Sequence, residues 1–257
     1  MCIVFVAIEQ HPRYPLIIAA NRDEFFNRPT LPSHVWGPSR NIVSGIDQEA
    51  GGTWMGVNKA GYLAALTNIR APQTLKPHVK SRGELVSHYL QQPTTNYQQA
   101  LEQSRQDFNG YNLLFGHWKN LYVYNNHLNH LTHLKKGFYG LSNASLNSPW
   151  PKIVKGLARL KTYCENTSQD PEHIIDKQLF ELLRDPNKAN ENELPRTGIP
   201  MEWERKLSSI FIQADHYGTR ASTVLKIDTN QKVSWCEHTY NSGAVCISEQ
   251  NYQFDIN

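Results

Sequence analysis

The amino end of the chain places the strongest constraint on its fold. Cys2 follows Met1 directly and opens an apolar run over residues 2–8 that is rich in β-branched and aromatic side chains. A run of this length and composition predicts a core strand. A second apolar run over residues 16–20 follows a polar link with two prolines, so we expect the two strands to form a hairpin. Cys2 would then stand at one end of a core strand.

The chemistry open to Cys2 depends on the fate of Met1. If Met1 is removed, Cys2 carries both a thiol and a free α-amine. An α-amine with a pKa of about 7.7–8.0 can accept the thiol proton near neutral pH, and the thiolate is the reactive form of cysteine. N-terminal nucleophile hydrolases work in this way. The alternative is a small buried cysteine at the start of a core strand, and position alone does not decide between the two.

Composition narrows the class of protein. The chain has 257 residues, of which 39% are hydrophobic, so it can bury a large core, and we treat residues 1–257 as one domain. Its net charge of +3 argues against a dedicated nucleic-acid binder. No apolar run approaches the roughly 18 residues of a membrane span, and no basic segment precedes an apolar one as in a signal peptide. We therefore expect a soluble, cytoplasmic protein without an integral membrane segment.

The remaining cysteines, Cys164, Cys236 and Cys246, form no CxxC pair. We therefore expect no zinc site, and no disulfides in the absence of a secretory signal. These three residues are interpreted as buried or half-buried thiols. A histidine-rich stretch over residues 127–133 is interpreted as exposed and polar, rather than as a metal or haem site.

Strand and helix signals alternate in blocks along the chain. Strands are expected at 51–57 and 61–67, at 111–115 and 121–124, near residue 130, and at 209–213, 221–227, 233–238 and 252–254. Helices are expected after a capping box at Ser81, over 94–108, over 153–163 and from 171 to 183, with a long connection at 191–204. Because hairpin links dominate, the sheets should be mainly antiparallel, with the two helical blocks covering them.

Several short motifs, in order along most of the chain, resemble those of one family. They are Met-Cys at residues 1–2, Asn-Arg-Asp-Glu at 21–24, Gly-Gly-Thr-Trp-Met-Gly at 51–56, Leu-Thr-Asn at 66–68, Gly-Leu-Ser-Asn-Ala at 140–144, Pro-Trp-Pro-Lys at 149–152, Leu-Pro at 194–195, Thr-Gly at 197–198 and a last segment at 217–224. On these residues the chain is identified as a member of the NRDE family, also called the transport and Golgi organisation protein two family. That family in turn resembles cysteine N-terminal nucleophile hydrolases such as penicillin V acylase and bile salt hydrolase.

The resemblance implies an α+β fold. Its architecture would be a four-layer αββα sandwich of mainly antiparallel sheets, as in N-terminal nucleophile hydrolases. The order of strand and helix blocks fits this architecture. The resemblance implies less about activity, because family members have been linked to Golgi organisation, lipid metabolism and haem handling, and no agreed reaction follows from membership.

The resemblance also implies a catalytic site. In the cysteine acylases the nucleophile corresponds to Cys2, and an Arg and an Asp stand at the end of the second strand, where this chain has Arg22 and Asp23. Asp23 would hold the α-amine, and Arg22 would favour the thiolate electrostatically. The acylase pair is separated by two residues, whereas these two are adjacent, and neighbours on a strand face opposite ways. The alternative is a turn and ion-pair network within residues 21–24.

Three further polar residues and one aromatic residue are candidates for the same site. Asn68 and Asn143 each follow an apolar stretch and a hydroxyl residue, and either could donate to an oxyanion or form a turn. Arg220 could bind a substrate carboxylate or phosphate through its planar fork, or pair with a nearby aspartate as scaffold. Trp54 is expected in the core or in the wall of a substrate pocket.

Two functions remain open on the sequence. The first is a hydrolase in which Cys2 attacks the carbonyl of an amide or thioester. The second is a non-catalytic carrier on the same fold for haem, acyl-CoA or another lipid-like metabolite, in which Cys2 is a ligand or a structural residue. Both functions require a small molecule in a cavity, and the hydrolase requires no cofactor.

Overall fold

Two antiparallel β-sheets packed face to face form the centre of the protein. The computed structural model describes residues 2–36, 41–167 and 171–257, without the side chains of residues 172–175. In spatial order the first sheet consists of Gly137–Leu141 (β10), Cys2–Ile8 (β1), Leu16–Phe25 (β2), Tyr217–Ile227 (β11), Lys232–Tyr240 (β12) and Cys246–Asp255 (β13). The second consists of Thr30–Trp36 (β3), Ile42–Asp47 (β4), Met55–Asn58 (β5), Tyr62–Asn68 (β6), Tyr111–His117 (β7), Asn120–Asn125 (β8) and His130–Leu134 (β9).

Helices cover the outer face of each sheet. Gly83–Gln91 (α1) and Tyr97–Gln103 (α2) pack on the seven-stranded sheet. Pro151–Asn166 (α3) and Glu172–Leu183 (α4) pack on the six-stranded sheet, and a short helix, Met201–Lys206 (α5), follows them in the chain. The strand pairs of both sheets are antiparallel throughout the described residues. The expected four-layer αββα sandwich is therefore confirmed.

Strand β1 contributes to two cores because its side chains alternate between the faces of the sheet. Val4 and Val6 pack between the sheets, whereas Ile3 and Phe5 pack beneath α3 and α4. Gly156 of α3 lies so close to Phe5 that a Cβ at this position would overlap the aromatic ring. β1 runs between β10 and β2, so residues 2–8 are fixed inside the sheet.

Strands β3 and β4 are not predicted by the sequence patterns. β3 contains Pro32 next to a buried polar residue, Ser33, and its register with β4 is interrupted between Leu31 and His34. The alternation of apolar and polar residues that marks a half-buried strand is therefore broken. Proline is tolerated here because β3 lies at the edge of its sheet.

Two expectations in the carboxyl half of the chain are wrong. The segment 209–213, expected to be a strand, pairs only through an isolated bridge between Gln213 and Gly218. Its apolar residues are buried against neighbouring elements, so the hydrophobic run reflects burial without strand pairing. The expected long connection at 191–204 contains a short 3-10 turn and the start of α5.

Candidate active site

A cavity of about 330 Å³ opens where strands β1 and β2 meet at Cys2. The expected site residues on its wall are Cys2, Arg22, Asp23, Trp54, Asn68 and Arg220. They are carried by β1, β2, the turn before β5, the end of β6 and β11. The fold thus collects most of the expected site around one cavity, and only Asn143 lies behind its wall.

Cys2 stands at the start of β1, with its backbone paired to that of Arg22. Cross-strand partners project to the same face, so the thiol and the guanidinium share the face between the sheets. Cys2 is only 8% exposed, and burial raises the pKa of its thiol. Arg22 and a hydrogen bond from the backbone N–H of Asp23 act in the opposite direction. The net rise keeps the thiol protonated at neutral pH, so it needs a base before it can attack.

Asp23 is fixed by the neighbouring strand β11. Its Oδ1 accepts a hydrogen bond from Thr219 Oγ1 at 2.7 Å, and its backbone carbonyl accepts one from the Tyr217 hydroxyl at 2.9 Å. The residue is 1% exposed, and burial raises the pKa of its carboxyl to about 6. Although Arg22 and Asp23 are adjacent in the strand, both line the cavity.

Arg22 belongs to a group of three charged residues, together with Asp47 and Arg28. Its Nη2 donates to Asp47 Oδ2 at 3.2 Å, and Nε of Arg28 donates to the same oxygen at 2.7 Å. Burial alone would raise the pKa of Asp47, but the hydrogen bonds from Arg28 and from the backbone N–H of Ala50, together with the charges of Arg28 and Arg22, lower it overall. The Nη1 group of Arg22 is buried and has no hydrogen-bond partner among the described residues.

Asn21, next to this group, has a structural role. Its Nδ2 donates to two buried main-chain carbonyls at 2.8 and 2.9 Å, and its Oδ1 accepts from Ser222 Oγ at 2.7 Å. Residues 21–24 lie within strand β2, and the partners of Asn21 belong to other segments, so the expected turn with an internal ion-pair network is wrong. The same segment presents Arg22 and Asp23 to the cavity.

The two candidate oxyanion donors differ in whether their side-chain amides already make hydrogen bonds within the protein. Asn143 is buried, and its Nδ2 donates to the Asn68 carbonyl at 2.9 Å while its Oδ1 accepts from Ser142 Oγ at 3.1 Å. Asn68 lines the cavity, and its side chain makes no hydrogen bond to the described residues. Ser142 Oγ also lies within hydrogen-bond distance, 3.3 Å, of the Cys2 carbonyl. Asn68 is the better placed donor, and Asn143 supports it from behind.

Arg220 lies at a bulge of β11, between Thr219 and Ala221, where the register with β2 shifts. Its Nη1 donates to the main-chain carbonyls of Phe25 at 2.8 Å and Arg28 at 3.0 Å. One of its nitrogens is thus held by carbonyls at the end of β2, rather than by an aspartate as the scaffold alternative expected. Because bulges redirect side chains, this one explains how Arg220 reaches the cavity wall.

The sequence patterns did not single out the other arginines of the wall. Arg82, immediately before α1, donates from Nη1 to the Gly110 carbonyl at 3.1 Å and interacts electrostatically with Cys2. Arg28 lies on the same wall. Together with Arg22 and Arg220 they give the cavity four guanidinium groups. An isolated arginine in a loop carries no local signal of such convergence, so sequence reasoning could not have found it.

Trp54 and Glu237 complete the wall on the side between the sheets. Trp54 is half-buried and packs against the core, so it is both core and pocket wall, as expected. Glu237 of β12 is buried, and it accepts hydrogen bonds from the backbone N–H and the hydroxyl of Ser33 at 2.7 and 2.6 Å. Burial raises the pKa of this carboxyl. Glu237 therefore ties the two sheets together beside the cavity.

Lys152, the second residue of α3, lies buried behind the cavity. It is 3% exposed, and its Nζ lies 3.5 Å from Asn143 Oδ1. Burial, with a smaller effect of the Arg70 charge, lowers the pKa of Lys152 to about 8, while Asp23 and Cys2 oppose the shift. A positive charge at this place favours the ionised forms of both Asp23 and Cys2. The Pro-Trp-Pro-Lys motif marked the segment, but nothing in it indicated that the lysine is buried.

A larger, more apolar cavity of about 560 Å³ adjoins the first. The residues common to both walls are Glu24, Arg28, Asn68 and Arg82. Apolar side chains such as Leu75, Ile199 and Trp203 line the rest of it. One ligand with a polar and an apolar part can therefore occupy both cavities, with Asn68 at the boundary.

A buried ion pair between Arg70 and Glu204 stands beside these cavities. The Arg70 guanidinium also lies 4.9 Å from the centre of the Trp150 ring, and Glu204 Oε1 accepts from the backbone N–H of Thr197 at 2.8 Å. The pair connects α5 with the segment after β6 and with the start of α3. It therefore fixes the wall of the second cavity relative to Lys152.

The arrangement of sheets, helices and Cys2 defines the class of fold, that of N-terminal nucleophile hydrolases. An N-acylethanolamine-hydrolyzing acid amidase ortholog from Caenorhabditis elegans superposes with a TM-score of 0.53 at 13% identity, covering 88% of this chain and 92% of that chain. The C2A mutant of conjugated bile acid hydrolase from Clostridium perfringens superposes with a TM-score of 0.53 at 9% identity, covering 100% and 93%. At these identities the likeness shows the fold alone.

The chain belongs to the Transport and Golgi organisation 2 family, whose profile matches residues 1–242. The Transport and Golgi organization 2 homolog of Mus musculus is 33% identical over 261 residues, covering 93% of each chain. The human homolog is 32% identical over 259 residues with the same coverage, and the Drosophila melanogaster protein is 27% identical over 262 residues, covering 93% and 92%. The family expected from the motifs is confirmed. Within the described residues, no helix has the length and apolar character needed to cross a membrane.

Proposed function

We propose that this protein is a cysteine hydrolase of the N-terminal nucleophile type that cleaves an amide or a thioester. The observation that carries the proposal is the position of Cys2, whose thiol shares one cavity with Arg22, Asp23 and Asn68. A cysteine with only a packing role would be enclosed by hydrocarbon side chains. Here the wall around Cys2 also carries arginines, several carboxyl groups and an amide.

The proposed reaction begins once Met1 has been removed. Cys2 Sγ attacks the carbonyl carbon of the substrate, and the thiol proton moves to the α-amine of the same residue. The Asp23 carboxylate holds the resulting ammonium, and the charge of Arg22 favours the thiolate. The raised pKa of the thiol makes this base necessary, because little thiolate forms without it.

The second half of the reaction uses the same groups. The amide of Asn68 donates to the oxyanion of the tetrahedral intermediate. The bond from the carbonyl carbon to nitrogen or sulfur breaks, and the leaving amine or thiol takes the proton from the ammonium. Water then adds to the acyl-enzyme, which releases a carboxylic acid and restores the Cys2 thiol.

The two cavities support a substrate that is apolar at one end and anionic at the other. Four arginines line the chamber that contains Cys2, beside four acidic residues, and arginine recognises carboxylate and phosphate well. The adjoining cavity offers space for an acyl or other apolar group. We propose that the carbonyl under attack lies at the boundary, beside Asn68. The free state of the four cysteines is consistent with the reducing, cytoplasmic location that we propose.

The experiment begins with the intact mass of the purified full chain, which reports whether Met1 has been lost. A panel of acyl amides and acyl thioesters is then offered to the wild type and to the Cys2→Ser variant. We expect hydrolysis of at least one substrate, a mass increase equal to the acyl group on Cys2, and loss of about 10³-fold or more in rate in Cys2→Ser. The matched control, Cys236→Ser, should keep the wild-type rate. Equal rates in wild type and Cys2→Ser would exclude Cys2 as the nucleophile.

The second cavity favours one alternative, a carrier without catalysis. It is larger and more apolar than the chamber of Cys2, so it suits haem, acyl-CoA or another lipid-like metabolite. A carrier should bind such a ligand at micromolar concentration by calorimetry or absorbance. It should do so equally in wild type and Cys2→Ser, with no acyl adduct and no product. If the wild type hydrolyses the bound ligand and Cys2→Ser does not, the protein is a hydrolase and not a carrier.

A further inference from the structure

We propose a zinc-binding site formed by His238, Cys246 and Glu249 on the outer strands of the six-stranded sheet. The ligand atoms of these three residues lie within 4.8 Å of one another. Imidazole, thiolate and carboxylate are the ligand types that Zn²⁺ takes in proteins. The site is independent of the proposed hydrolase reaction.

Strand pairing brings two of the ligands together. His238 of β12 and Glu249 of β13 are direct cross-strand partners, and His238 Nε2 lies 3.7 Å from Glu249 Oε1. Ligand atoms bound tetrahedrally to zinc are roughly 3.3–3.8 Å apart, given bond lengths of about 2.0–2.3 Å. The observed pair already has this separation. Rotation about the exposed Glu249 and half-buried Cys246 side chains closes the remaining distances.

A β-bulge supplies the third ligand. The register between β12 and β13 shifts after the pair Thr239 and Ser248, so that Cys246 lies opposite Tyr240. Side chains alternate along β12, so Tyr240 and His238 share a face, and the bulge turns Cys246 toward that same face. Without the bulge, the alternation along β13 would direct the thiol to the opposite side. CxxC spacing cannot reveal such a site, because its ligands meet only after the strands pair.

The surroundings hold the imidazole in place. The ring of His238 stacks on Phe180 of α4 with centroids 3.7 Å apart and planes 5° apart. Arg184 and Asp176 of the neighbouring helical segment also face this histidine. Arg184 lies against the Tyr240 ring and donates to the Ala244 carbonyl at 3.2 Å, and Asp176 pairs with a buried lysine.

The charge of the ligand set matches a divalent cation. On binding, Cys246 releases its proton, so thiolate and carboxylate together carry two negative charges beside a neutral imidazole. Three protein ligands leave the fourth position to water from the exposed side. The cation would join β13 to β12, and β13 is otherwise an edge strand with alternate residues exposed. Cys246 and Glu249 also lie beyond residues 1–242, so the site is a property of this chain outside the family match.

The test uses the full chain, freed of metal with a chelator and titrated with Zn²⁺ and with Co²⁺. We expect one equivalent of each cation per chain, a sulfur-to-cobalt charge-transfer absorption in the near ultraviolet, and a zinc-dependent rise in melting temperature. Cys246→Ser should abolish the absorption and weaken binding by about 100-fold or more, and Glu249→Gln should weaken binding by about tenfold or more. These exposed and half-exposed positions tolerate substitution, so folding is preserved.

Two thiol variants serve as matched controls. Cys236→Ser removes the neighbouring thiol on the same face of β12, and Cys2→Ser removes the thiol of the cavity. Both should bind Zn²⁺ and Co²⁺ as the wild type does. Binding of less than one equivalent, an unchanged cobalt absorption in Cys246→Ser, or loss of binding in Cys2→Ser would each overturn the proposal.

Discussion

Thr219 donates a 2.7 Å hydrogen bond to Asp23 across the pair of strands β2 and β11. Both residues are buried, so the hydrogen bond does not offset the cost of ionising the carboxyl, whose pKa rises from 3.8 to about 6. A carboxyl with a raised pKa keeps its proton in the folded state while the unfolded chain has already released it. Ionisation of Asp23 at the cavity wall therefore lowers the free energy of unfolding at neutral pH.

The first prediction follows from this shift. Between pH 4 and pH 6 the folded state binds more protons at Asp23 than the unfolded state, so its contribution to stability falls as pH rises. Asp23→Asn keeps an acceptor for Thr219 and cannot ionise. Its free energy of unfolding relative to wild type should increase by about 2.4 kcal/mol from pH 4 to pH 7, measured by urea denaturation. Asp215→Asn, at an exposed position, should stay within about 0.5 kcal/mol of wild type throughout. A pH-independent difference for Asp23→Asn would contradict this account.

Lys152 is predicted to assist ionisation of Cys2. Replacing the buried ammonium by the similarly sized Lys152→Met removes the positive charge that favours thiolate and carboxylate. The rate of Cys2 alkylation by iodoacetamide at pH 7.5, followed by mass spectrometry, should fall by about tenfold, which corresponds to one pKa unit. Lys155→Met, on the exposed side of the same helix, should leave the rate unchanged. Lys152→Arg should retain much of the wild-type alkylation rate. Equal rates in wild type, Lys152→Met and Lys152→Arg would refute the proposed role of the charge.

The ion pair between Arg70 and Glu204 should be costly to break. Glu204→Ala leaves a buried guanidinium without its carboxylate and should lower the free energy of unfolding by about 3–5 kcal/mol. The double variant with Arg70→Met should recover part of the loss, because no charge is left unpaired. Glu202→Ala, on the same short helix, breaks an exposed pair with Lys206 and should change stability far less than Glu204→Ala. Chemical denaturation of these variants and of the single variant Arg70→Met tests the prediction, and additive losses in the double variant would argue against coupling.

Glycine is predicted to be required at position 156 because of the close contact with Phe5, and not because the backbone conformation there needs glycine. In an isolated helix, Gly→Ala is favourable by about 1 kcal/mol. Gly156→Ala should instead destabilise by about 1–3 kcal/mol, because the added methyl overlaps the Phe5 ring. Ala158→Gly, exposed on the same helix, should show the ordinary cost of about 1 kcal/mol. Combining Gly156→Ala with Phe5→Leu should relieve part of the clash; a stabilised single variant would show that the helix can shift.

The sequence predicted the fold through its amino end and its motif series. The run at residues 2–8 is apolar on both faces because β1 lies between two cores, and this made the strand easy to recognise. β3 was not predicted because Pro32 and Ser33 interrupt the expected alternation of apolar and polar residues. Ser33 is buried for a reason that no local pattern contains: it donates to Glu237, 204 positions away in the chain.

The site was predictable where a motif carried it and hidden where the fold alone creates it. Arg22, Asp23 and Asn68 were expected from short motifs, and they meet at Cys2. Their catalytic roles remain predictions. Lys152 and Arg82 were not expected, because a charged residue on a helix or in a loop usually faces solvent. Their burial follows from tertiary packing against groups that are distant in sequence.

The pairing of β2 with β11 has a consequence for the order in which the molecule is made. Asp23 and Tyr217, joined by a hydrogen bond, are 194 positions apart. At a synthesis rate of about 5–20 residues per second, roughly 10–40 s separate their appearance on the ribosome. Until β11 has been synthesised, Cys2 lacks the part of the cavity wall that this strand contributes. Enzymes that trim or modify a nascent chain can therefore reach Cys2 before its surroundings are complete.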